Sequence, residues 1–151
     1  MSSVDADLLA ARVELRDLVD GYARACDHGD RAALEALFRP DATLTVHRPG
    51  AEPFTYDGAV ALGGIVPKLG RYARTFHLVA NHSCSISGAH AEGEVYCEAH
   101  HVRADGPVPV DVVLTIRYVD TYERGDEGWR FASREVQILW TREVPLTSGP
   151  L

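Results

Sequence analysis

The sequence predicts a single α+β domain in which helices come first and a mainly antiparallel sheet follows. Three observations predict this class. Apolar residues in the first 40 positions recur every three or four residues, as in amphipathic helices. From about position 75 onward, long strand-like segments are separated by short turns, which favours antiparallel pairing. The length of 151 residues suits one domain, with a core from about residue 8 to residue 142.

The first 40 residues predict two helices joined by a tight break. Apolar residues at helical spacing run from Leu8 to Cys26, whereas the first seven residues are predicted to be frayed. Gly29 suits the left-handed residue that ends a helix, and Asp30 suits the N-cap of the next. We expect this second helix over about residues 31–38.

The remainder of the chain predicts one weak helix and five strands. Asp57 could cap a third helical segment to about Leu69, which Gly63, Gly64 and Pro67 weaken. A segment of this kind could form a mobile flank of a pocket. The strands, taken from alternating polarity and from the turns between them, are expected over residues 42–47, 75–87, 91–103, 110–124 and 129–141.

The composition argues against several classes of protein. The formal net charge is −7 and the basic residues are scattered, which argues against a surface for nucleic acid. The sequence has neither an apolar run of membrane-spanning length nor a signal peptide, so neither a membrane nor secretion is expected. The three cysteines are odd in number and lack CxxC spacing, which makes disulfides unexpected and favours the cytoplasm.

The seven histidines of the sequence do not form a metal-binding motif. His77 and His82 lie five positions apart in one predicted strand, so they are expected on opposite faces. The adjacent pair His100 and His101 fails for the same reason. The HExxH, GxSxG and glycine-rich phosphate-binding patterns are also absent from the sequence. We therefore expect neither a metal nor a cofactor.

Tyr22 and Asp27 are the candidate acid–base residues of the first helix. Tyr22 lies on the apolar stripe, where it could also be a packing residue, and its phenol can donate to a carbonyl oxygen. Asp27 lies near the helix end, where a negative charge is unfavourable against the helix dipole, and this misfit indicates a functional reason. Its expected partner is His77, because an Asp–His pair fixes the imidazole tautomer and makes the ring a usable general base.

Alternation leaves the orientation of the histidines ambiguous. Hydrophobicity alone places Phe76 and Leu78 in the core and His77 outside, although a second subunit could cover that outer face. On the next strand, small apolar residues share a face with His101, and glutamates share a face with His100. Burial with a period of two therefore favours His101 as the inward residue, and a bulge would exchange the two.

Five motifs in order give the chain a resemblance to a known family. They are Tyr22 with Asp27–Asp30 and Leu37–Phe38 with Asp41–Ala42, then His77–Asn81, then Glu94–Tyr96 with Ala99–His101, then Arg117–Asp120, and finally Gly128–Arg130 with Arg134 and Trp140. Through these motifs, the segment of roughly residues 10–141 resembles the SnoaL-like members of the NTF2-like superfamily. This superfamily also contains scytalone dehydratase and a bile-acid dehydratase. The resemblance implies an NTF2-like cone, in which three N-terminal helices pack into a strongly curved, mostly antiparallel sheet.

The resemblance also implies a chemistry. Tyr22 and His77 match a tyrosine and a pocket histidine of the family's dehydratases, and His101 lies on a strand that carries a His or Asp in them. This implies a cofactor-independent lyase that dehydrates a hydrophobic cyclic hydroxy-carbonyl compound. His77, steadied by Asp27, would remove a proton, and Tyr22 would polarise the carbonyl. His101 would protonate the departing hydroxyl or place a water molecule.

Other functions stay open at this stage. Polyketide-cyclase and ketosteroid-isomerase chemistry need the same proton abstraction, and some relatives are non-catalytic ligand-binding or assembly proteins. Asn81 and Arg117 are the candidate substrate-binding residues, because Arg117 could meet an anionic or carbonyl group at the pocket mouth. Arg134 could contact substrate or be a structural partner of Asp120 or Asp111. We expect a homo-oligomer, a dimer or a trimer, that forms through the sheet.

Overall fold

The computed structural model describes residues 3–148, which form helices on one face of a six-stranded sheet. The helices are α1 (Ser3–His28), α2 (Arg31–Ala36), α3 (Ala59–Leu62) and α4 (Ile65–Leu69). The strands are β1 (Phe38–His47), β2 (Phe54–Asp57), β3 (Arg74–Ser87), β4 (His90–Arg103), β5 (Val110–Gly125) and β6 (Gly128–Pro145).

The long helix α1 lies across the sheet and buries one stripe of side chains. Leu15, Val19, Tyr22 and Cys26 are at most 5% exposed and recur at helical spacing, as predicted. The predicted fraying of the first seven residues is wrong from Ser3 onward, because the helix begins there. Residues 4–20 contain neither Gly nor Pro, so nothing in them interrupts the first turns of the helix. Residues 1 and 2 lie outside the described range.

The junction between α1 and α2 follows the prediction. Gly29 has a φ of 67°, a conformation that a side chain with a Cβ disfavours. Asp30 caps α2 by accepting a hydrogen bond from the backbone N–H of Ala33 at 2.9 Å. The helix ends at Ala36, earlier than predicted, because Phe38 already begins β1.

Two short helices occupy the place of the predicted third helix. The helix is interrupted at Gly63 and Gly64, between α3 and α4. A Cβ on Gly63 would come within 2.1 Å of Oε1 of Glu35, so a side chain there would displace the Glu35 carboxylate. Asp57 is not the cap that the sequence predicts, because it belongs to β2 and pairs there with Thr43.

The sheet is curved, unclosed and mixed, with the strand order β2-β1-β6-β5-β4-β3. Only the pairing of β1 with β6 is parallel, and the other four pairings are antiparallel. The predicted α+β class and the mostly antiparallel sheet are therefore confirmed. Strand β2 has only four residues and was not predicted from the sequence.

A bulge in β3 decides which of its side chains face the helices. The pairing of β3 with β4 shifts register between Val79 and His82, so both of these residues lie on the helix-covered face. His77 and His82 therefore share a face, and the prediction that they point in opposite directions is wrong.

The outer face of the sheet carries exposed apolar side chains. They include Phe76, Leu78, Tyr96 and Trp140, which are 45–56% exposed. These residues explain why hydrophobicity alone misassigns the faces of β3. The homo-oligomer expected through the sheet stays a prediction.

An ion pair lies inside the core, beneath α1. Arg134 donates to Asp120 through Nε at 2.8 Å and through Nη2 at 2.7 Å, and both side chains are fully buried. The guanidinium carbon lies 4.1–4.4 Å from the ring centroids of Tyr22, Tyr118 and Phe131. Of the alternatives for Arg134, the structure thus shows pairing with Asp120.

Among residues 3–148, no helix combines the length and the apolar character that a bilayer crossing needs. Cys26, Cys84 and Cys97 are free thiols, as expected.

Candidate active site

Asp27 and His77 form a hydrogen-bonded pair between the end of α1 and the start of β3. Oδ1 of Asp27 lies 2.7 Å from Nδ1 of His77, and Oδ2 accepts the backbone N–H of His77 at 2.8 Å. Thr75 donates its hydroxyl to Oδ1 at 3.0 Å. The His77 side chain is 6% exposed and that of Asp27 is 18% exposed. The carboxylate therefore holds the imidazole in one orientation and leaves Nε2 as the nitrogen available to a ligand.

The hydrogen bonds keep Asp27 ionised. Burial by itself raises the pKa of Asp27. Two hydrogen bonds from His77, the charge of the His77 ring and the hydrogen bond from Thr75 outweigh this effect. Together they lower the pKa of Asp27 below the ordinary aspartate value. An ionised Asp27 is a hydrogen-bond acceptor only, so Nδ1 of His77 must carry a proton toward it. The free nitrogen of a neutral His77 is then a base.

His77 opens into a cavity of about 350 Å³ between the helices and the concave face of the sheet. Aliphatic side chains are the largest group in its walls, and they include Leu44, Val46, Leu114, Ile116, Val136 and Ile138. This volume lies within the range of small-molecule sites. The cavity therefore suits a compact hydrophobic ligand.

Tyr22 reaches the same cavity from α1. Its ring is in the cavity lining and only 5% exposed. Burial raises the pKa of Tyr22 well above the ordinary value, with a smaller contribution from Cys26. The phenol thus stays protonated, and its hydroxyl can rotate toward a ligand oxygen.

His101 lies beside His77 on the neighbouring strand. The two ring centroids are 5.6 Å apart, and the Tyr72 ring lies 4.7 Å from His101 on another side. Burial first, then the charge of His77, lowers the pKa of His101 to about 4. Nε2 of His101 is buried and has no hydrogen-bond partner among the described residues. A neutral His101 thus has one ring nitrogen free for a ligand or a water molecule.

His100 lies on the opposite face, as the alternation on β4 predicts. Its Nδ1 is 2.6 Å from Oδ2 of Asp111, so this is a second Asp–His pair. The pair lies outside the cavity, on the outer side of the sheet, beside Phe76.

The structure does not bring the two predicted substrate-binding residues to the cavity. Asn81 is exposed, because the bulge after Val79 turns it out of the face that His77 occupies. Arg117 lies on the outer face, where it donates to Gln137 at 2.9 Å. Alternation along β5 points Tyr118 inward and therefore Arg117 outward.

Sequence reasoning missed several residues that line the cavity. They are Arg48, Tyr56, Lys68, Arg71, Tyr72 and Tyr118. Most of them come from loops, from the four-residue strand β2 or from short helices, where no periodicity shows which way a side chain points. The contact of Thr75 with Asp27 was also missed, although its spacing of two from His77 places both on one strand face.

The donor set does not favour a metal. Within residues 3–148, no group of three His, Cys, Asp or Glu side chains is arranged to hold an ion. Tyr22, His77 and His101 converge on one cavity, with Asp27 behind His77. This arrangement can move a proton to and from a ligand in an apolar surrounding.

The chain belongs to the SnoaL-like domain family, because the family's sequence model matches residues 7–135. No curated protein sequence matches the chain.

Solved structures share this fold over nearly the whole chain. Hexachlorocyclohexane dehydrochlorinase LinA-type3 from Novosphingobium barchaimii is 22% identical, with a TM-score of 0.79 and 97% of each chain covered. A protein from Novosphingobium aromaticivorans assigned as a scytalone dehydratase is 24% identical, with a TM-score of 0.78 and coverage of 96% of this chain and 94% of that chain. Another protein of that organism, assigned as an aromatic ring hydroxylase, is 21% identical, with a TM-score of 0.77 and coverage of 91% and 94%. At these identities the likeness shows the fold.

Proposed function

We propose that the protein is a cofactor-independent lyase that eliminates water from a hydrophobic cyclic hydroxy-carbonyl compound. The observation that carries the proposal is the Asp27–His77 pair, whose imidazole opens into an apolar cavity. A base of this kind, oriented by a carboxylate and shielded from water, suits removal of a proton next to a carbonyl group.

The reaction needs three roles from the lining side chains. Nε2 of His77 takes the proton from the carbon next to the carbonyl, and the electron pair moves to the carbonyl oxygen. The hydroxyl of Tyr22 donates to that oxygen, where negative charge develops. The enolate then expels the β-hydroxyl group, which leaves as water after it takes up a proton from His77. The products are an enone and water.

His101 positions the leaving group in this scheme. Because the pKa of His101 is lowered to about 4, its ring is neutral near pH 7 and is a poor proton donor. Its buried free Nε2 suits a hydrogen bond to the departing hydroxyl or to a water molecule. Of the two roles predicted for His101, positioning the departing hydroxyl or a water molecule is therefore favoured over protonating that hydroxyl.

The structural relatives agree with an elimination. A dehydrochlorinase removes HCl and a dehydratase removes water, and both names occur among proteins of this fold. An assembly subunit would need no base at the cavity wall. The convergence of Tyr22, His77 and His101 therefore supports an enzyme over a non-catalytic protein.

The test is the dehydration of 3-hydroxy-1-tetralone, a bicyclic β-hydroxy ketone that gives fluorescent 1-naphthol and water. We expect the protein to accelerate this reaction and His77→Ala to abolish the acceleration. His100→Ala is the matched control, because His100 is also paired with an aspartate but lies on the outer face. Equal loss in both variants, or no acceleration by the unchanged protein, would contradict the proposal.

Cyclisation and isomerisation are the alternative, since both begin with the same proton abstraction. Deuterium exchange next to the carbonyl of 1-tetralone tests proton abstraction alone, because this ketone has no β-hydroxyl group to eliminate. Exchange without dehydration of the hydroxy ketone would favour a cyclase or an isomerase. Absence of both reactions would favour a ligand-binding protein.

A further inference from the structure

The charged side chains of the cavity lining are all cationic. Arg48 follows β1, Lys68 lies in α4 and Arg71 precedes β3, and all three line the cavity that His77 enters. Among the described residues that line this cavity, none is an aspartate or a glutamate. This is unusual in a chain with a net charge of −7, where carboxylates outnumber basic groups.

These three cations are not neutralised by the protein. Lys68 lies over the rings of Phe54 and Tyr56, with Nζ 4.6 and 4.7 Å from the ring centroids. Arg71 donates to the hydroxyl of Tyr72 at 3.0 Å, which is a neutral partner. Within residues 3–148, none of the three makes an ion pair with a carboxylate.

Two arginines on the strands show the pairing that the cavity cations lack. Arg103 pairs with Glu143 at 2.8 Å, and Arg142 pairs with Glu98 at the same distance. The three cations of the cavity lining have no such carboxylate partner within residues 3–148.

Their positive charge reaches the reacting end of the cavity. After burial and the charge of His77, the guanidinium groups of Arg48 and Arg71 also lower the pKa of His101. Arg48, Lys68 and Arg71 are all exposed. They therefore present uncompensated positive charge to an anion where the cavity opens to solvent, and added salt screens this attraction.

We propose that the natural substrate carries a carboxylate, which Arg48, Lys68 and Arg71 bind while its hydrophobic ring fills the cavity beside His77. This inference rests on the proposed function for the identity of the reacting end. Guanidinium groups suit a carboxylate, because they can donate two parallel hydrogen bonds to it. The cations therefore determine which hydrophobic ring compounds the enzyme accepts.

The test compares two ligands that differ in one charge. 2-Naphthoate and 2-naphthamide have the same ring system and nearly the same shape, and their binding is measured by titration calorimetry. We expect the naphthoate to bind about tenfold or more tightly at low ionic strength, with the difference shrinking as salt is added. Arg48→Gln and Arg71→Gln should each weaken naphthoate binding by about threefold to tenfold without changing naphthamide binding.

Arg124→Gln is the control variant, because Arg124 is an exposed arginine at the far end of β5 from the cavity. It should leave both affinities unchanged. Equal affinity for the two ligands, binding of neither, or equal loss for both in the Arg48 and Arg71 variants would overturn the inference.

The same titration with His77→Ala separates this inference from the proposed function. The preference for naphthoate should persist in that variant, because the variant keeps all three cations. If the preference is present but the unchanged protein neither exchanges nor dehydrates ketones, the proposed chemistry fails and the anion site stands.

Discussion

Asp27 contacts His77 at two points, the imidazole Nδ1 at 2.7 Å and the backbone N–H at 2.8 Å. The two oxygens of one carboxylate therefore fix both the ring and the strand that carries it. A helix end and a strand start, 50 residues apart in sequence, are joined by this contact. The position of the proposed base is thus set by the packing of α1 on β3.

The first prediction concerns this carboxylate. Asp27→Asn keeps an oxygen and nearly the same volume but loses the negative charge that supports the imidazole. We expect the rate of 3-hydroxy-1-tetralone dehydration to fall by about 10²- to 10⁴-fold, the usual contribution of general acid–base catalysis. The measurement is the initial rate of 1-naphthol formation.

Asp30→Asn is the matched control for this substitution. Asp30 lies three residues away and caps α2, a role that asparagine fills equally well. Unchanged dehydration in Asp30→Asn is expected. If Asp27→Asn also keeps the full rate, Asp27 has no part in the chemistry.

The second prediction concerns the hydroxyl of Tyr22. Tyr22→Phe keeps the packed ring but removes the donor, so we expect kcat to fall by about tenfold to a hundredfold with little change in KM. The comparison is Tyr122→Phe, whose hydroxyl donates to Asp120 at 2.8 Å and does not line the cavity. That variant should lower stability and leave kcat unchanged. Equal kcat in the unchanged protein and Tyr22→Phe would show that Tyr22 is a packing residue.

Much of the fold could be predicted because its patterns are local. Helical spacing marks α1. At the break that follows, Gly29 indicates a left-handed residue and Asp30 indicates an N-cap, and both are found in the structure. The proximity of Asp27 and His77 followed from a charge at the unfavourable end of a helix together with the family resemblance. The helix dipole makes such a charge noticeable in the sequence alone.

The rest depends on contacts that are not local. The bulge between Val79 and His82 changes which residues face inward, and alternation alone therefore places Asn81 wrongly. The cations of the cavity mouth come from three separate segments, with no common spacing. They meet only because two loops and the short helix α4 come together at the cavity, which the sequence does not display.

The third prediction concerns the pH dependence of stability through His101. Its pKa is about 4 in the folded protein, lowered first by burial and then by the charge of His77, against about 6.5 in an unfolded chain. Between these values the unfolded state binds more protons, so stability falls as the pH decreases from about 6.5 to 4. The loss amounts to roughly 2–3 kcal/mol.

The measurement is urea unfolding of the unchanged protein and of His101→Phe between pH 7 and pH 4.5. Phenylalanine keeps a flat ring beside Tyr72 but cannot titrate, so the variant should lose less stability on acidification. Asp27 contributes in a different range, because its lowered pKa makes its stabilisation disappear only at lower pH. Parallel curves for the two proteins would mean that His101 is not held neutral by the fold.

The fourth prediction concerns the buried ion pair of Arg134 and Asp120. Asp120→Asn leaves the Arg134 guanidinium charged in a site without solvent exposure, so we expect the free energy of unfolding to fall by about 3–5 kcal/mol. Arg103→Gln removes one side of an exposed pair, and its cost should stay within about 1 kcal/mol. Urea unfolding at pH 7 measures both.

The outcome also bears on the cavity, because the Arg134 guanidinium stacks on Tyr22 and Tyr118, two rings of the cavity lining. An Asp120→Asn protein that still folds should therefore bind naphthamide less tightly, since the ring positions are no longer fixed by the pair. If Asp120→Asn is no less stable than Arg103→Gln and binds naphthamide normally, the pair supports neither the core nor the cavity wall.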